Sequence, residues 1–131
     1  MTALHLCPPT QSDAEALLAF ELLNRAFFEQ SVQARDPAYY SLDGVRKAIQ
    51  SAQTDRERDA GYQYLVKQGD SIVGRVNFTA VARPYFNKAA IGYRMAQSVL
   101  GRGYASQAVG LALQEAFGAL KLWRVDRKSV V

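Results

Sequence analysis

The most chemically suggestive spacing in this chain is Gly101-Arg102-Gly103-Tyr104-Ala105-Ser106. Two glycines one residue apart let the backbone turn sharply and approach a ligand closely. An amphipathic run follows at once, with Ala108, Leu111, Ala112, Glu115, Ala116 and Ala119 at helical spacing. The first amides of a helix have no intrahelical acceptor, and the helix dipole adds partial positive charge beside them. Such a terminus takes an anion, and Arg102 adds a full charge next to it. The same glycines also serve a plain tight turn. Just upstream, Ile91-Gly92-Tyr93-Arg94-Met95 alternates apolar and polar residues. Strand, glycine turn and helix in that order favour a phosphate cradle over a bare turn.

Positioning that turn takes a sheet and flanking helices. Residues 3–7 read as a short first strand, stopped by Pro8-Pro9. Ser12 and Glu15 have the spacing of a capping box. The helix behind them carries Leu17, Leu18, Phe20, Leu22 and Leu23 and is expected to be well buried, with a second helical piece through Ala26, Phe27 and Phe28. Residues 31–40 are polar, contain Pro37 and read as loop. Ser41 is expected to cap a helix over 42–53, whose Val45, Ala48, Ile49 and Ala52 share a face. The run 54–59, TDRERD, reads as a solvated helix end or loop. Strands are expected over 62–68 and 71–82, joined by a hairpin at Gly69-Asp70. Gly74 marks a bulge or a close backbone approach. A strand over 88–95 follows the loop 83–87, a helix spans 104–120, and another strand starts at 122–125. The sequence class is therefore α+β, with a mixed, mostly antiparallel sheet flanked by helices.

The chain resembles the GNAT superfamily of acetyl-CoA-dependent N-acetyltransferases, and within it the RimJ/RimL type that acetylates ribosomal-protein N-termini. That family carries Gln/Arg-x-x-Gly-x-Gly/Ala at this turn. Gly103 and Ala105 fit it, and Leu100 departs from the usual Gln or Arg. Ile72-Val73-Gly74-Arg75-Val76-Asn77-Phe78 and Ala90-Ile91-Gly92-Tyr93 also look like the RimJ pattern. Gln107-Ala108 stands where Glu-Ala is usual. The resemblance implies a single GNAT domain over 1–131 and acetyl-CoA as cosubstrate, with no metal. It also implies a bulge in the strand before the turn, opening a gap for the cosubstrate.

On that reading the amides of Gly101, Arg102, Gly103, Tyr104, Ala105 and Ser106 meet the pyrophosphate. The strand end at Tyr93, Met95 and Ala96 pairs with the pantetheine arm like another strand. A backbone N–H near Met95 serves as oxyanion donor. The acceptor amine must be neutral to attack. An α-amine, with a pKa near 7.7–8.0, is roughly a tenth neutral at pH 7, and a lysine amine far less. A protein N-terminus is thus the expected acceptor, possessed by a ribosomal protein if the resemblance extends so far. Glu21 and Glu29 are the chemically plausible bases, yet a solvated helix face is the expected place of both. Asn77 and Tyr93 are able to orient the amine or a water, although Tyr93 is better read as a core tyrosine with a bonded hydroxyl. No catalytic base is singled out. Tyr39 and Tyr40 either line the acceptor mouth or cover the core edge.

The remaining residues bound the answer. The chain has 131 residues, a net charge of +4 and one cysteine, Cys7. It suits one domain, an anionic partner and a cytoplasmic setting without an internal disulfide. No membrane association and no direct nucleic-acid partner are expected. His5 reads as structural or exposed, Cys7 as a small buried residue, and Trp123 as a core or helix-packing anchor. Past Trp123-Arg124-Val125 the tail to Val131 departs from the family, so the chain looks C-terminally shortened. An edge strand left open there invites self-association. Two other readings compete: an inert coenzyme-binding fragment, and a small RNA-binding module using Arg75, Arg83, Tyr85, Phe86, Lys88, Tyr93 and Arg94.

Overall fold

The computed structural model describes residues 3–31 and 33–127. Of the tail past Val125, where the sequence leaves the family pattern, residues 128–131 lie outside the described residues. Five strands form one sheet in the order β1 (Leu4–Cys7), β2 (Tyr62–Gln68), β3 (Ser71–Ala82), β4 (Lys88–Met95) and β5 (Arg124–Arg127). The first three pairings are antiparallel and β4–β5 is parallel. Three helices flank the sheet: α1 (Ala14–Phe28), α2 (Leu42–Glu57) and α3 (Tyr104–Phe117). Alternation along the strands sends one set of side chains toward α1 and α2 and the other toward α3. Arg75 of β3 and Arg94 of β4 reach Glu21 of α1, whereas Tyr64 and Gln68 of β2 reach Glu115 and Tyr104 of α3. The mixed, mostly antiparallel sheet with flanking helices is the architecture expected.

Local chemistry explains most boundaries. Ser41 caps α2, its Oγ accepting from the Gly44 N–H at 3.0 Å. The helix then runs through the start of the charged stretch to Glu57, where long polar side chains are good helix formers. The cap of α1 differs from the expectation. Thr10, not Ser12, opens this segment: its N–H donates to Asp13 Oδ2 at 2.9 Å, and a short 3-10 turn at Gln11–Asp13 leads into the helix. Ser12 instead shares a hydrogen bond with the Thr10 hydroxyl. Asp13 is also held by Lys67 Nζ at 2.8 Å, a tertiary contact invisible to a local motif.

α1 runs unbroken through Phe28, and its buried stripe is Ala14, Leu17, Phe20, Glu21, Asn24 and Phe28. Leu22 and Leu23 lie outside that stripe and are exposed, so the helix is less buried than its leucine content suggests. α3 stops at Phe117, before the expected 120, because Gly118 leaves helical geometry. Trp123 is 73% exposed and is no core anchor. It sits in the turn into β5, its N–H donating to Asn87 O.

Candidate functional site

The turn ahead of α3 has the backbone that its glycines allow. Gly101 and Gly103 both have φ of +75°, and Gly103 is the N-terminal cap residue of α3. A Cβ at either position would meet nothing within 4 Å, so the demand for glycine is purely conformational. The amides from Gly101 to Ser106 donate no hydrogen bond among the described residues; the first engaged amide is Gln107, bonded to Gly103 O at 3.2 Å. Arg102 and Ser106 are exposed, and Ala105 is half-buried. Tyr104 is buried, its hydroxyl accepting from Gln68 Nε2 at 2.9 Å, so only its main chain faces the turn's mouth.

β4 runs toward this turn, and beyond Ile91 its second edge has no strand partner among the described residues. It pairs with β5 only from Lys88↔Arg124 to Ile91↔Arg127 among the described residues. Gly92 to Met95 keep β3 on one side. Ala96 N donates to Val73 O at 2.8 Å and is therefore turned toward β3. Alternation in an antiparallel ladder then turns the Tyr93 and Met95 amides the other way, to the free edge. The β3–β4 register is unbroken from Ala90 to Met95, and its irregularity falls between Thr79 and Ala82 of β3. The bulge expected in this strand is thus not seen in its pairing with β3, and its pairing with β5 is described as far as Ile91↔Arg127. Gly74 is the close approach expected: a Cβ there would stand 2.5 Å from Met95 Sδ and 2.9 Å from Arg94 O.

Tyr93 departs from expectation. It is 43% exposed and no core tyrosine. Its ring lines a groove of about 370 Å³ with Ala105, Ser106, Val109, Gly110 and Leu113 of α3. Small residues at 105, 106 and 110 leave room between strand and helix. Ala105 and Ser106 of the turn and Tyr93 of β4 thus meet in one groove.

The other face of β4 carries what the sequence did not announce. Glu21, expected on a solvated helix face, is 1% exposed. Its Oε1 accepts from Arg75 Nη1 at 3.0 Å and from Arg94 Nη2 at 3.3 Å, and its buried Oε2 has no partner among the described residues. Arg75 also donates to the Tyr39 hydroxyl at 3.0 Å and to Gln63 Oε1 at 2.8 Å. The Arg94 guanidinium lies 4.9 Å from the Phe28 ring centroid. Burial lowers the Arg94 pKa to about 10; Glu21 opposes that shift, while Arg35 and Arg75 add to it. Burial likewise raises the Tyr39 hydroxyl. Beside them Asn24 donates to Phe20 O and accepts from Gln97 N, tying α1 to the end of β4. A signal existed: Glu21 and Asn24 fall on the 14–17–21–24–28 stripe, where a helix of this kind is otherwise apolar.

The remaining candidates are dispersed. Glu29 is exposed just past α1 and pairs with Arg25 at 3.2 Å. Asn77 shares the Arg75 face of β3, opposite to Tyr93. His5 is exposed and Cys7 half-buried. Of the seven residues that suggested an RNA surface, four are turned elsewhere: Arg75 and Arg94 point to Glu21, Tyr93 lines the groove beside α3, and Arg83 is paired with Asp59; Tyr85 and Phe86 stay exposed, with Lys88 Nζ 5.4 Å from the Phe86 ring centroid. Among the described residues no cluster of three or more His, Cys, Asp or Glu could hold a metal, and no helix is long and apolar enough to cross a membrane.

This strand, glycine turn and helix, set in a sheet whose last pairing is parallel, match the acetyltransferase (GNAT) domain family over residues 3–127, and the chain belongs to that family. It is an acyltransferase. A probable N-acetyltransferase of Bacillus subtilis, YjcK, is 33% identical over 125 residues, covering 94% of this chain and 69% of its own. Among solved structures, a ribosomal-protein-S5-alanine acetyltransferase from Vibrio fischeri shares the fold. Its TM-score is 0.88 at 19% identity, covering 95% of this chain and 69% of that one. A RimL-type ribosomal L7/L12 α-N-protein acetyltransferase in complex with coenzyme A aligns with a TM-score of 0.77 at 28% identity, over 88% and 64% of the two chains.

Proposed function

We propose that this chain transfers acetyl from acetyl-CoA to the α-amino group of a protein N-terminus, with a ribosomal protein as the acceptor class. The observation that carries the reading is the set of free amides from Gly101 to Ser106 opening onto the Tyr93 groove. Donors of this kind suit a diphosphate, which asks for several N–H groups converging at a helix start. Arg102 adds charge for a phosphate, and the Tyr93 and Met95 amides at the free edge suit the pantetheine arm. Acetyl-CoA supplies an activated acetyl group. The protein supplies alignment, and an amide near Met95 is the proposed donor to negative charge on the thioester oxygen. The RimL-type relative supports the α-amine class, and the intrinsic acidity of an α-ammonium lets it lose its proton without a strong base.

Calorimetric titration with acetyl-CoA tests the first half. Saturable binding is expected, and no binding would overturn the reading. Mass spectrometry of peptides incubated with labelled acetyl-CoA tests the second. Label is expected on the N-terminal amine of peptides that also carry lysine. Label on lysine alone would refute the acceptor class, and binding without transfer would leave a coenzyme-binding domain.

A further inference from the structure

The Glu21 cluster is unbalanced in charge. Two guanidiniums, Arg75 and Arg94, share one carboxylate oxygen. Arg75 is otherwise satisfied by Tyr39 and Gln63. Arg94 is not: one nitrogen meets Glu21 at 3.3 Å, no other acceptor reaches its guanidinium among the described residues, and its side chain keeps 19% exposure. Arg35, exposed on the segment after α1, lays its guanidinium 4.4 Å from the Tyr39 ring centroid, and its charge acts on both Tyr39 and Arg94. Two guanidiniums therefore share one carboxylate, and a third stacks on the tyrosine beside them, on the sheet face opposite the Tyr93 groove. Adjacent residues of one strand present opposite faces, so Arg94 stands across β4 from the groove that suits the acetyl donor. An acceptor meeting the thioester from that side passes Arg94.

We infer that the acceptor carries a carboxylate close behind its reactive amine, and that Arg94 and Arg35 receive it. This inference rests on the acetyl-transfer reading above and names the acceptor's chemistry: an acidic peptide N-terminus. A carboxylate there supplies the counter-charge the cluster lacks, and Arg94 offers it unused donors at the margin of solvent. A basic peptide in the same place adds a fourth positive group and is rejected.

The test uses three hexapeptides that begin with alanine and differ only at positions two and three: Glu-Glu, Gln-Gln or Lys-Lys. Their kcat/KM is measured with the full chain and acetyl-CoA. The Glu-Glu peptide is expected to exceed Gln-Gln by about fivefold, the upper end for a partly exposed ion pair, with Lys-Lys lowest. Arg35→Ala and Arg94→Lys are expected to shrink the Glu-Glu advantage. Arg46→Ala, on the exposed side of α2, removes equal charge and is expected to keep it. Equal rates for Glu-Glu and Gln-Gln, a preference for Lys-Lys, or equal effects of Arg35→Ala and Arg46→Ala would overturn the inference while leaving N-terminal acetylation standing. If no peptide is acetylated, the α-amine reading fails instead. Fluorescence anisotropy of labelled Glu-Glu and Gln-Gln peptides with coenzyme A present then decides the charge preference by binding alone.

Discussion

On the α3 face of β4, the groups able to bind belong to the main chain. Two glycines with φ of +75° and the first amides of α3 make the turn, and the Tyr93 side chain lines the groove beside it. On the α1 face, one residue further along the strand, the groups are side chains drawn from four separate segments: Glu21, Tyr39, Arg75 and Arg94. The first region is local in sequence and the second is assembled by folding. A backbone cradle needs only a few consecutive residues in the right conformation, and its stability cost is the glycine entropy. A buried ion cluster must hold its charges together against desolvation, so each partner depends on the others. Substitutions in the two regions should therefore fail in different ways.

Glu21→Gln should have the largest effect. It leaves Arg75 and Arg94 largely buried without a counter-charge, at a cost of about 3 kcal/mol, the range for breaking a buried ion pair from one side. Chemical denaturation measures this. Acetyl-CoA affinity per folded molecule should stay near that of the parent, because the carboxylate lies on the other face. A loss of less than about 1 kcal/mol would mean that the cluster is effectively hydrated and that the contrast between the faces is overstated.

Gly103→Ala should behave the other way. With open space around it, the new methyl clashes with nothing, and the cost is the left-handed conformation alone, about 1 kcal/mol. If the turn relaxes to avoid that strain, its amides re-aim. Loss of one charge-assisted hydrogen bond to phosphate would weaken acetyl-CoA binding by roughly tenfold. Calorimetry on the folded variant separates the two effects. Unchanged affinity would sharpen the comparison against us, since it would show that the cradle tolerates misdirection as the ion cluster does not.

This contrast also explains what could be read in the chain. β2, β3 and β4 have the boundaries expected, because period-two alternation and the Gly69-Asp70 hairpin are local signals. The glycine turn was legible for the same reason. Tyr93 was misjudged because its burial depends on how far α3 stands off the strand, which the small residues Ala105, Ser106 and Gly110 decide. Trp123 was misjudged on hydrophobicity alone, and burial is not obligatory for a lone aromatic residue. Glu21 is the instructive failure. Its type argued for solvent and its place on the α1 stripe argued for burial, but its arginine partners lie more than fifty residues away in sequence. No local pattern joins them.

The Asp13–Lys67 ion pair provides the calibration between these regimes. It too joins α1's entrance to the sheet, at 2.8 Å, but its side chains keep 13% and 19% exposure against 1% for Glu21. Burial alone would raise the Asp13 pKa; the hydrogen bonds from Lys67 and Thr10 outweigh it and hold the carboxyl below its ordinary 3.8. A carboxylate with a depressed folded-state pKa contributes stability that is complete above its unfolded value. That contribution is lost as pH falls through the folded value. Asp13→Asn should therefore cost about 1 kcal/mol at neutral pH, well below the Glu21 substitution. The gap between parent and variant should close progressively as the pH falls from neutral through the parent's depressed folded value, where its carboxyl is also protonated. Denaturation midpoints at a series of pH values measure that convergence. Curves that stay parallel would mean that Asp13 acts through the Thr10 cap geometry, which asparagine preserves in part, rather than through its charge. In that case exposure would not be the variable that separates this pair from the Glu21 cluster.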